Sequence, residues 1–98
     1  MGGMTNTFDS PSAEDLRIQL IAQAREQMAA FPQYANRFDH MQLGRCREAV
    51  ETKLGYAMHY GDYVLFEEGE TRGFFTIWSW HNECLTSVPV SSIRRVIG

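Results

Sequence analysis

Cysteine, dense positive charge and long apolar runs are all scarce in this chain, and each scarcity removes a class of protein. Two cysteines, Cys46 and Cys84, are too few for the disulfide framework that holds many small secreted domains together. Both lie in patterned segments and read as reduced thiols, which points to a cytoplasmic protein. No apolar stretch reaches the roughly 20 residues needed to span a bilayer. The N-terminus lacks the charged and apolar regions of a signal peptide. Lys and Arg total 9 against 12 acidic residues, for a net charge of -3 at pH 7. They form no run dense enough to displace counterions from a nucleic acid, so nucleic acid is not the expected partner. A Gly-rich phosphate loop is missing as well. Gly69 and Gly73 bracket an acidic turn whose Glu67, Glu68 and Glu70 would repel a phosphate.

What is present is enough for one folded domain. The chain is 44% hydrophobic and 21% charged, well outside the disordered regime. Residues 1–9 are expected to be a flexible or vector-derived leader and residues 10–98 a single α+β domain. A serine of Ser10-Pro11-Ser12 supplies a helix N-cap, Pro11 suits the first turn, and Glu14 and Asp15 complement the helix dipole. Leu16, Leu20, Ala24, Met28 and Phe31 then recur on one helical stripe. Phe31-Pro32 stops it, since the residue before proline is disfavoured in the α region. Residues 33–40 read as an irregular connection or one extra helical turn. A second helix is expected from Met41 to Leu54, capped by Asp39, with Leu43, Cys46, Ala49, Val50 and Leu54 as its stripe and Gly55 as a left-handed end.

Beyond Gly55 the period falls to 2. Residues 56–67 and 74–81 and Cys84 to about Val90 are expected strands, separated by turns at 68–73 and Asn82-Glu83. Gly61 marks a bend or bulge, and Pro89 either puts its strand at a sheet edge or ends it there. Ser91 to Arg95 reads as a short helical turn before Val96-Ile97 returns to the sheet. Eight of the aromatic residues fall between Tyr56 and Trp80.

Hairpins turning symmetrically about Glu70-Thr71 and Asn82-Glu83 sort these strands into two faces. Val64, Phe66, Phe75, Ile77, Val88 and Val90 make an aliphatic and Phe-lined face, the expected floor for the two helices. Tyr63, Leu65, Phe74, Thr76, Trp78, Trp80, Leu85 and Ser87 make the other, too apolar for a solvated surface. Three uses compete for it: the interior of a curled barrel or roll, a homodimer interface, or a groove for an apolar ligand. Tyr63, Phe74, Trp78, Trp80 and Leu85 are the candidate contact residues. The strand pattern from Gly61-Asp62-Tyr63-Val64 through Val88-Pro89-Val90 and Ser92-Ile93 resembles an SH3-like barrel. That likeness implies a fold and no activity.

Chemistry-bearing residues form one further group. Cys84, His81 and Asp62 fall near one another in this register, the parts of a nucleophilic site in which histidine activates a thiol. A packed thiol and a locally bonded histidine are the plainer reading. His81-x-x-Cys84 with His59 is too loose a pair for structural zinc. Arg94-Arg95 with Arg72 could meet an anion, against the plainer reading of solvated arginines. A helix, a turn and a helix bearing Arg45 and Arg47, followed by a hairpin, would imitate a winged helix. Glu48, Glu51 and the acidic hairpin tip oppose that use. The expected function is a non-enzymatic binding or adaptor module, a homodimer or a receptor for a protein or small apolar ligand, with no cofactor or metal. A small Cys-His-Asp enzyme and a winged-helix DNA-binding protein are the alternatives.

Overall fold

A computed structural model describes residues 12–97. Residues 1–9 and the Ser10-Pro11 part of the expected helix start lie outside the described residues. Helix α1 spans Ala13–Gln27 and is capped by Ser12, whose Oγ accepts the Asp15 N–H at 3.1 Å. Glu14 and Asp15 sit in its first turn, where carboxylates oppose the positive end of the dipole. The helix ends a turn short of Pro32. Short 3-10 turns at Pro32–Tyr34 and Phe38–His40 then carry the chain to the sheet.

The segment Met41–Leu54 is not a helix. It forms strands β1 (Gln42–Cys46) and β2 (Val50–Thr52), and β3 (Gly55–Met58) follows. The sheet continues with β4 (Tyr63–Glu68), β5 (Phe74–Ser79), β6 (Cys84–Pro89) and β7 (Ile93–Arg95). Strand order is β6-β5-β4-β1-β7, with every neighbouring pair antiparallel, while β2 and β3 make a separate hairpin. Strand β1 hydrogen-bonds on both sides, to β4 and β7. This long-range pairing outweighs a stripe that also fits a helix. Gly44 reveals the reason: a Cβ there would stand 2.6 Å from Ile93 Cγ2 and 2.8 Å from Phe66 Cδ1. Gly55 does take positive φ, at 102°, but in the turn between β2 and β3. With no second helix, the winged-helix order is not present among the described residues. The sheet is open, β6 and β7 lie at opposite edges, and no SH3-like barrel closes.

Both hairpins turn off the expected centres. Leu65 pairs with Trp78 and Phe66 with Ile77, and across the next turn Trp78 pairs with Leu85 and Ser79 with Cys84. Each slip is two residues, so every side chain keeps its face. The face assignment holds, but its covering layers are exchanged. Val64, Phe66, Ile77 and Val88 pack with Cys46, Ala57, Met58 and Ile93, beneath the β2–β3 hairpin. Leu65 and Trp78 pack with Ile21 and Ala24 of α1 and with Phe38 and Met41. Thus Val64, Ile77 and Val88 face away from the helix, contrary to expectation. Val90 leaves the sheet for a 3-10 turn, Val90–Ser92. The exchange has a polar cause as well as an apolar one. The Trp78 indole N–H needs an acceptor when buried, and the end of α1 supplies it: Trp78 Nε1–H donates to Gln27 Oε1 at 3.0 Å.

Candidate functional site

The five aromatic-face candidates occupy three different environments. Trp78 is 2% exposed, edge-on to Phe38 at 5.3 Å, and belongs to the core. Leu85 is half-buried against the same cluster. Phe74 stands at the far end of the sheet, 40% exposed. Tyr63 and Trp80 are half-buried and come together beside α1. With Leu16, Gln19, Leu20 and Gln23 of α1, and with Gly61 and Asp62, they line a cleft of about 500 Å³. The helical residues recur at 16, 19, 20 and 23, one face of successive turns. Sequence reasoning placed Leu16 and Leu20 on a buried stripe and passed over the two glutamines; their spacing was the available signal.

The floor of this cleft is fixed by a chain of ring and hydrogen-bond contacts. Gly61, at φ 87°, turns the backbone from β3 toward β4. Asp62 then bonds inward: its Oδ2 accepts the His59 backbone N–H at 2.9 Å and lies 2.9 Å from His81 Nε2. His81 stacks on Trp80 at 3.8 Å between centroids, and His59 meets His81 edge-on at 4.8 Å. Tyr56 packs on His59 at 4.9 Å. The Trp80 Nε1–H reaches the Tyr63 carbonyl at 3.4 Å, so its indole is held by a polar contact as well as by stacking. A rigid aromatic wall beside a helix offers flat apolar area with little side-chain entropy left to lose.

Of the nucleophile group, the structure joins Asp62 and His81 but not the thiol. Cys84 pairs with Ser79 across the β5–β6 hairpin rather than with His81, and no hydrogen bond links the two among the described residues. Ser79 Oγ instead donates to the Ala57 carbonyl at 2.7 Å and accepts the Asn82 N–H at 3.2 Å, which ties the turn to β3. The other thiol, Cys46, is 2% exposed. Burial pushes its pKa up and keeps it in the unreactive protonated form. No cluster of three or more His, Cys, Asp or Glu side chains that could hold a metal occurs among the described residues.

Fold and cleft together define an α+β domain: an open five-stranded antiparallel sheet, a helix on one face and a β-hairpin on the other. No family model, no curated protein and no solved structure matches the chain. Among the described residues no helix is long and apolar enough to cross a membrane.

Proposed function

We propose that this protein is a small binding module that receives an apolar, ring-bearing small molecule in the cleft between α1 and the Tyr63–Trp80 wall. One observation carries the reading: the helix covers Trp78 yet leaves Trp80 half-exposed as the floor of a cleft of about 500 Å³. That volume lies in the range of small-molecule sites, about 300–1,000 Å³. Leu16 and Leu20 offer apolar contact, and Gln19, Gln23 and Asp62 offer polar atoms at its margin. Burial of one ligand ring against Trp80 contributes about 2–3 kcal/mol. A second copy of the chain is the competing occupant of the same surface.

The uncharged dye N-phenyl-1-naphthylamine tests this. It should bind saturably and take energy from Trp80. Trp80→Ala and Leu16→Glu should each abolish the signal in folded protein. Ile18→Glu, on the exposed outer side of α1, should leave it intact. Dye binding that survives both cleft substitutions defeats the reading. Concentration-dependent sedimentation with parallel loss of Trp80 quenching would assign the surface to self-association.

A further inference from the structure

A second cleft, of about 560 Å³, is lined by Arg45, Cys46, Arg47, Tyr60 and Arg94. Its chemistry is the opposite of the first. Three of the chain's nine basic residues meet there, although the whole chain carries a net charge of -3. Arg45 and Arg94 are directly opposed in the β1–β7 register, an arrangement that costs stability unless something negative lies between them.

The protein positions these cations without pairing any of them with a carboxylate among the described residues. Arg45 Nε–H donates to the Gly61 carbonyl at 3.2 Å, and its guanidinium lies 5.3 Å from the centre of the Tyr63 ring. These contacts leave its Nη groups without an acceptor among the described residues. Arg17, Arg25 and Arg37 are each paired with a carboxylate, of Glu14, Asp39 and Glu67 respectively. No such partner reaches Arg45, Arg47 or Arg94 among the described residues. Two carboxylates, Asp62 and Glu48, lie close enough to act on the Cys46 thiol of this cleft, but neither forms an ion pair with these arginines among the described residues. Asp62 is held by His81 and the His59 N–H, and Glu48 Oε1 accepts the Ser92 hydroxyl at 3.2 Å.

We infer that this cleft binds the phosphate group of a small organic phosphate carrying a flat ring. A carboxylate brings one charge and two oxygens, too little for three guanidinium groups. A phosphate monoester brings nearly two charges and three strong acceptor oxygens, which match planar guanidinium forks. Tyr60 lines the cleft and is 78% exposed, so its ring is available to stack on a base or other flat group beside the phosphate. This site lies across Tyr63 from the apolar cleft and does not depend on what that cleft binds.

The test titrates inorganic phosphate, ribose 5-phosphate and adenosine monophosphate into the full chain at about 20 mM salt, where exposed charges are least screened. All three should bind, with perturbation of the Arg45 Nε–H and the Arg47 and Arg94 amide resonances, and the adenosine compound should bind most tightly. Tyr60→Ala should remove that advantage. Arg47→Gln and Arg94→Gln should each weaken phosphate binding roughly tenfold, and the double variant more. Both side chains are exposed, so the double variant should keep the wild-type circular dichroism even if an Arg45 variant fails to fold. No saturable binding up to about 10 mM of any of the three probes overturns the inference. Unchanged affinity in the folded double variant does so too. Binding of single-stranded DNA of about ten nucleotides with silent mononucleotides would replace it with a strand-binding site.

Discussion

Gly44 is where a single absent methyl group decides the local structure. It sits in β1 opposite Val64 on one side and Arg95 on the other, and Ile93 and Phe66 close over the space a side chain would need. The obstructing atoms are a branched methyl and a buried ring edge, neither the free end of a flexible chain. Gly44→Ala must therefore move β7 or rotate Phe66. On a helical reading the same substitution would be favourable, since alanine is the better helix former by about 1 kcal/mol. The two structures thus predict opposite signs. Urea unfolding should show Gly44→Ala destabilised by about 1–3 kcal/mol. A stabilised variant would mean that β1 does not pass between β4 and β7 as described.

Elements were legible where their signal was local. Helix α1 announced itself through a serine of Ser10-Pro11-Ser12 with Glu14 and Asp15, though only the structure picks Ser12 as the cap, and β4, β5 and β6 through alternation and turn residues. The residues 33–40 connection and the edge position of β6 were readable for the same reason. Strand β1 was not, because Leu43, Cys46 and Val50 fit a helical stripe equally well. What makes them strands is hydrogen bonding to β4 and β7, residues distant in sequence. The covering of the sheet was hidden for a related reason. Alternation tells which side chains share a face, not which layer lies over it. Tyr63 and Trp80 were named from sequence as contact residues and do line the cleft; the helical wall opposite them became visible only once α1 was seen on their face. The helix docks through Gln27, whose Oε1 accepts the Trp78 N–H and whose Nε2–H reaches toward the Trp80 carbonyl at 3.5 Å. Gln27→Ala leaves the Trp78 donor without its protein acceptor and should cost about 1–3 kcal/mol. Gln27→Glu keeps an acceptor and should lose less. The Trp78 indole proton resonance should move in both variants, and an unmoved resonance would show that this bond does not fasten α1.

On the scale of the molecule, the sheet separates two apolar clusters that share no residue among those described. Strands β4 and β5 nonetheless feed both: Val64 and Phe66 enter the hairpin side and Leu65 the helix side, while Ile77 and Trp78 divide in the same way. Neither cluster can melt without withdrawing residues from strands that hold the other, so the described domain should unfold as one unit. The test is to injure one side and watch both. Met58→Ala empties a fully buried position under the hairpin and should cost about 2–5 kcal/mol. Tryptophan fluorescence, from Trp78 and from Trp80 packed against the same cluster, then reports the helix side. Pulsed thiol labelling of Cys46, in a Cys84→Ser background, reports the hairpin side, because burial shields that thiol from reagent and pushes its pKa up until the fold opens. Both urea transitions should shift together by the same amount. A labelling transition that moves while tryptophan fluorescence stays at its original midpoint would mean that the hairpin unfolds as a separate unit and that the shared strands do not couple the two faces.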